Sequence, residues 1–169
     1  MNRSELSRTV LALKEVQRAG WARAGHKTGE SVADHSWSVA MLALIHCPPE
    51  LDREKVLTMA PLHDLAELRV GDITPHDGVA PARKHALEDA AMAELLAEHP
   101  DLLAIWREGE LRVSPEAQSL KQLDRLDLGL QATRYQEQGY ISEAAEAEFR
   151  ASAGPLLIDR RYKPPDPKG

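Results

Sequence analysis

Met59-Ala-Pro61-Leu-His63-Asp64-Leu-Ala-Glu67-Leu-Arg-Val-Gly71-Asp72 places one imidazole and three carboxylates within a short stretch of otherwise apolar sequence. His63 and Asp64 are adjacent, and Glu67 follows them by four and three residues, so a helical turn turns all three toward one face. Asp72 lies just past Gly71, where such a helix must end. Burying this set is unfavourable unless something neutralises it, and a divalent cation is the usual answer.

The composition around the stretch favours helices. The chain has 169 residues, enough for one domain with a real core. Apolar residues make up 43% and aromatics only 4%, so Leu, Ala and Val carry the packing. The expected architecture is all-α, a bundle of about six helices over residues 1–160, with 161–169 as a loose C-terminal tail. A net charge of −6 argues against a nucleic acid polymer as partner. Cys47 is the sole cysteine, which excludes an intramolecular disulfide and a thiolate zinc site; it reads as a small buried residue. Met1 to Leu6 lacks a signal-peptide core, and no window has the length of an apolar membrane span, so the expected location is cytoplasmic, with no membrane partner.

The helix pattern runs as follows. Ser4 is a candidate cap for a first helix to Arg18, and Ser31 for a second to Cys47, with Val32, His35, Val39, Leu42 and Ile45 or His46 inward. Pro48-Pro49 stops the second. Asp52 caps a third helix through Leu68, with Pro61 kinking it beside the His63-Asp64 pair. Residues 71–81 read as a loop. A fourth helix is expected over Pro81–Glu98 and a short fifth over Leu102–Arg107. Ser114-Pro115 is a strong start for a long helix to Glu137, and Ser142 opens the last, to Ala151. His35 and Asp124 fall as isolated polar residues on apolar faces of two of these helices. With His63-Asp64 they form an ordered set, His, His-Asp, Asp, of two nitrogen and two oxygen ligands. Such a mixed set suits Mn, Fe, Co, Ni or Zn better than Ca or Mg.

Several segments together resemble a known family. Glu30-Ser-Val-Ala-Asp-His35-Ser-Trp, Leu62-His-Asp-Leu-Ala-Glu67, Gly71-Asp-Ile-Thr-Pro75 and Lys121-Gln-Leu-Asp124 are similar to the motifs of HD-domain phosphohydrolases. The resemblance is closer to the 5′-deoxynucleotidase branch, which includes bacterial YfbR and the eukaryotic HD-domain-containing protein 2 group. It spans about Leu6 to Gln138. Pro61, where a helix former is expected, and Gly109, where an aromatic residue is expected, depart from its pattern.

The resemblance implies an HD-domain helical bundle and one divalent metal bound by His35, His63, Asp64 and Asp124. It implies release of phosphate from deoxynucleoside 5′-monophosphates, with Glu67 and Asp72 as the catalytic acids and Arg18 and Trp21 in the substrate segment. Lys84 is a candidate second cation for phosphate and Thr74 a candidate for the sugar side. The chemistry agrees: a metal polarises phosphate and activates water, while carboxylates handle protons. The family and the Leu-rich C-terminal helices lead us to expect a homodimer. Two other readings use the same residues. A dinuclear HD phosphodiesterase or oxygenase would recruit His76, His85 or His99, and a non-catalytic nucleotide-binding module would leave the acids idle.

Overall fold

The structure is a computed structural model, and it describes residues 1–154. It is all-α: among the described residues there are nine α-helices and no strand. The expected tail at 161–169 lies outside the described residues.

The longer elements start where the sequence signals them. In α3 (Val32–His46) the Ser31 hydroxyl accepts the Asp34 N–H while the Asp34 carboxylate reaches back, a reciprocal capping box. Asp52 caps α4 (Arg53–Met59), and Ser114 followed by Pro115 opens α8 (Pro115–Glu137). Ser142 caps α9 (Glu143–Ala153). Helix α6 (Pro81–Leu95) also begins on a proline. The expected short fifth helix is longer than the sequence implied: α7 runs Pro100–Leu111, since Pro100 provides the first turn and Arg112, at φ 53°, terminates it.

Three expectations are corrected. The first helix is α1 (Arg3–Thr9), capped by Asn2 rather than Ser4; it passes into a 3-10 segment (Val10–Glu15) and stops because Val16 is extended. The backbone there forms an antiparallel bridge between Gln17 and Ser31, and α2 (Ala19–Arg23) follows. The third helix does not continue through Leu68. It ends at Met59, and α5 covers only Glu67–Val70. Pro61 has no N–H to donate back to Leu57, so the chain tightens into i→i+3 bonds: Leu62 N to Met59 O at 3.0 Å, Leu65 N to Leu62 O at 3.1 Å. Third, the inner stripe of α3 is Val32, His35, Ser36, Val39 and Ala43, whereas Ile45 and His46 face outward.

The core is built around α3 and α8. Val39, Ala43, Val56, Met59, Leu120 and Leu123 pack on one side of the HD segment, and Val32, Leu62, Met92, Leu95 and Trp106 on the other. Cys47 is buried in the first of these groups. The leucines of α8 are covered: Leu120, Leu123 and Leu126 are no more than 4% exposed. The C-terminal helices therefore do not supply the open apolar face expected of them. No helix among the described residues is long and apolar enough to cross a membrane.

Candidate metal centre

Three elements converge on the site: α3 brings His35, the tight turn after Pro61 brings His63 and Asp64, and α8 brings Asp124. His35 Nε2 lies 3.5 Å from Asp64 Oδ2 and 3.3 Å from Asp124 Oδ1. His63 Nε2 is 3.3 Å from Asp64 Oδ2 and 3.2 Å from His35 Nε2. His35, His63 and Asp64 thus share one point, and Asp124 joins them through His35.

The other ring nitrogens decide what that point can hold. His63 Nδ1 is 2.6 Å from the Ala60 carbonyl, which only accepts, so Nδ1 carries the proton and donates. His35 Nδ1 donates to Asp127 Oδ2 at 2.7 Å. In the neutral rings both Nε2 lone pairs then aim at the same space as two carboxylate oxygens. Four acceptors without a proton between them fit a cation, and the mixed nitrogen and oxygen set fits a divalent transition metal.

Electrostatics report the same demand. Burial and Arg18 oppose a charge on His35, yet Asp124, Asp127 and Asp64 outweigh them and push its pKa up to about 10. Burial opposes ionisation of Asp124 and Asp64 too, but the two histidines together with Lys121 hold Asp124, and with Arg18 hold Asp64, below the usual carboxylate range.

The proposed catalytic acids have different surroundings. Glu67 is 5% exposed, its Oε2 has no hydrogen-bond partner, and burial followed by the charges of Asp64 and Asp72 raises its pKa to about 10. Glu67 is not a solvated residue paired with a nearby base: Arg69 and Lys55 pair with Glu94 and Glu108. Asp72 is engaged elsewhere. Its Oδ2 accepts the Ala19 N–H at 2.7 Å and fixes the start of α2, the helix that follows Arg18.

Arg18 Nη1 is 3.4 Å from Asp64, and Arg18 Nε is 3.8 Å from Glu30, so the guanidinium borders the centre in two loose pairs. Trp21, placed by the resemblance in the substrate segment, borders a cavity beside the centre but is packed on most sides. It is 1% exposed, its Nε1 donates to Glu30 at 3.0 Å, and its ring is closed in by Tyr135 and Phe149. Phe149, half-buried on α9, lies in front of it. Lys84 Nζ donates to the Ile73 carbonyl at 2.9 Å and sits 3.5 Å from Glu88. Thr74 Oγ1 donates to Asp77 and accepts from Arg23.

Two cavities flank the centre. One of about 360 Å³ is bordered by Arg18, Glu67, Asp72, Thr74 and Phe149. The other, about 270 Å³, lies toward His63, Glu88, Trp106, Gly109 and Glu110. Asp64, Lys84, Lys121 and Asp124 line both. Sequence reasoning did not single out Asp127, the partner of His35, nor the Lys121 ammonium as a wall of both cavities, 2.6 Å from Asp124. Asp127 lies three residues beyond Asp124 on the same helix, a spacing that marks it as a neighbour of that site.

His76, His85 and His99 are corrected as ligands of a second metal. Among the described residues, the groups of three or more candidate ligand side chains are His35, His63 and Asp64, and Glu30, His35 and Asp127. The three additional histidines belong to neither.

A helical bundle that brings two bare imidazole nitrogens and two carboxylates to one point between polar cavities defines a metal-dependent hydrolase. A family model described as HD domain matches residues 10–155. The 5′-deoxynucleotidase HDDC2 of Danio rerio is 38% identical over 141 residues, covering 80% of this chain and 70% of that protein. The 5′-deoxynucleotidase hdd1 of Schizosaccharomyces pombe is 32% identical over 154 residues, covering 86% and 77%. A conserved hypothetical protein of Pyrococcus furiosus superposes with a TM-score of 0.78 at 30% identity, covering 88% of this chain and 86% of that one. The chain belongs to the HD domain family.

Proposed function

We propose that this protein releases phosphate from nucleoside 5′-monophosphates, with deoxynucleotides as the preferred class. The observation that carries the reading is the convergence of two imidazole nitrogens and two carboxylates, from His35, His63, Asp64 and Asp124, beside Arg18 and the unpartnered Glu67 carboxyl. The names of the 5′-deoxynucleotidase relatives supply the substrate class.

In this reading His35, His63, Asp64 and Asp124 hold one divalent metal, with Mn, Co, Fe, Ni and Zn as the candidates. That ion supplies Lewis acidity to the phosphate and lowers the pKa of water at the site. The chain's own residues do the rest. Arg18, drawn off its long contacts with Asp64 and Glu30, offers a planar fork to phosphate oxygens. Lys84 and Lys121, on the wall shared by both cavities, add positive charge where phosphoryl charge spreads. Glu67 carries the proton traffic: its free Oε2 orients the attacking water and its carboxyl exchanges a proton with the reacting oxygens. Asp72 holds the Arg18 segment in register through Ala19. Thr74 and Phe149 border the sugar and base end of the larger cavity, with Trp21 as the support behind.

The test is phosphate release by purified protein loaded with Mn or Co, over a panel of deoxynucleotides, ribonucleotides and sugar phosphates. Turnover of deoxynucleoside monophosphates, abolished in His63→Ala and Asp64→Ala, is the expected result. Metal bound without release from any nucleotide would overturn it; nucleotide-dependent thermal stabilisation in that case would favour the non-catalytic module.

A further inference from the structure

The basic side chains that line the larger cavity fall into two sets. Arg18, Lys84 and Lys121 each face a carboxylate of the protein: Arg18 lies 3.4 Å from Asp64, Lys84 3.5 Å from Glu88 and Lys121 2.6 Å from Asp124. Arg23 and Arg125 do not. Among the described residues neither enters an ion pair.

An exposed arginine is ordinarily just a solvated charge. These two come from separate helices, α2 and α8, yet border one cavity together with the metal centre. Arg23 is also held in place. Its Nη1 donates to Thr74 Oγ1 at 3.1 Å, and Asp77 Oδ2 fixes Thr74 in turn, accepting its N–H at 2.6 Å and its hydroxyl at 2.8 Å. The other N–H groups of the Arg23 fork are left for a ligand.

We infer that the larger cavity takes a nucleotide with two phosphates: one on the 5′ oxygen at the metal centre, the second on the 3′ or 2′ oxygen of the sugar, between Arg23 and Arg125. Such a substrate presupposes the phosphohydrolase reading of the centre. Thr74 borders the sugar end, so the guanidinium against it stands beside the sugar hydroxyls and away from the scissile phosphate. A phosphate there offers its oxygens to two planar forks, whereas a bare hydroxyl leaves both idle. The acids of the wall are engaged elsewhere. Asp64 and Asp124 serve the centre, Asp72 accepts the Ala19 N–H, and Glu148 lies 3.6 Å from His76 Nε2. Hydrolysis removes only the 5′ phosphate. Water adds to phosphorus, the P–O5′ bond breaks and a water proton goes to O5′, giving inorganic phosphate and a nucleoside 3′- or 2′-monophosphate.

The test is calorimetric titration of Mn-loaded Glu67→Gln protein, in which turnover is slowed. A deoxynucleoside 3′,5′-bisphosphate and a ribonucleoside 2′,5′-bisphosphate are each compared with the matching 5′-monophosphate. One bisphosphate is expected to bind about tenfold or more tightly than its monophosphate, an advantage that shrinks as salt is added. Arg23→Leu and Arg125→Leu each remove most of it, while Arg83→Leu, at an exposed site that lines neither cavity, leaves it. The arm with the larger advantage identifies the oxygen, and chromatography of the wild-type reaction finds the corresponding 3′- or 2′-monophosphate as product. Equal affinities in both arms, or an advantage that survives both leucines, would overturn the inference, while turnover of the 5′-monophosphate would keep the phosphohydrolase reading. No turnover of any of these nucleotides would remove both.

Discussion

Asp127 Oδ2 accepts the Nδ1 proton of His35 at 2.7 Å, and both side chains lie inside the protein. The bond fixes which nitrogen of His35 is bare, and so gives the centre one of its four acceptors. Asp127→Ala leaves a fully buried imidazole free to rotate or change tautomer. Metal affinity is expected to fall by about tenfold to a hundredfold, with activity recovered at higher metal concentration. Calorimetric metal titration checks this. An unchanged affinity would mean that packing alone orients the ring.

The metal-free protein is expected to lose stability as pH rises. His35 has its folded pKa raised from 6.5 to about 10 and Glu67 from 4.5 to about 10. Between the unfolded and folded values the native state binds more protons than the unfolded chain, so stability decreases with pH. Glu67 acts over the whole interval and His35 joins it above 6.5. With metal the sign reverses: the ion needs His35 neutral, so its affinity climbs with pH. Thermal melts in chelator and in excess Mn, run from neutral toward pH 10, give opposite trends if the histidine holds the ion. Parallel trends would place the metal elsewhere.

Glu67→Gln keeps the shape and removes the proton. Since burial already holds Glu67 in its neutral form, the substitution is expected to leave the fold and its melting temperature nearly unchanged. If Glu67 handles protons in the reaction, kcat falls by about 10²- to 10⁴-fold while metal binding stays. A Gln variant with full turnover would assign that work to another group.

Asp72→Ala acts through a different route. Removing the acceptor frees the Ala19 N–H at the first turn of α2 and loosens Arg18, one residue earlier. The cost to stability is about 1 kcal/mol, as for a lost helix cap. Its kinetic mark is a rise in KM for the nucleotide larger than the fall in kcat. A pure kcat effect would return Asp72 to the chemistry.

The parts of this molecule that were legible in the sequence are those governed by local rules. Ser31, Asp52, Ser114 and Ser142 cap helices because capping needs only residues within one turn. His35, His63, Asp64 and Asp124 stood out as polar residues on apolar faces, and they meet. The packing of Trp21 was not legible because it comes from distant residues, Tyr135 and Phe149. The bond from the Ala19 N–H to Asp72 was hidden for the same reason, since the two lie 53 residues apart. Asp127 had one local signal, its place three residues beyond Asp124 on α8, but its burial and its bond to His35 come from the packing of α8 on α3.

Pro61 ends α4, yet two other bonds hold the turn that follows it. His63 Nδ1 donates to the Ala60 carbonyl, and Trp106 Nε1 donates to the His63 carbonyl at 3.3 Å. Pro61 itself is exposed, so its ring contributes little packing. Its remaining effect is on the unfolded chain, whose freedom it reduces, worth about 0.4–1 kcal/mol at a compatible position. Pro61→Ala is therefore expected to lower the melting temperature by roughly 2 °C while metal affinity and turnover stay within about twofold, because His63 remains tied at both its ring and its carbonyl. The comparison is a thermal melt beside a metal titration of the same variant. If affinity collapses instead, the proline, and not the Ala60 and Trp106 contacts, sets the direction in which His63 and Asp64 point.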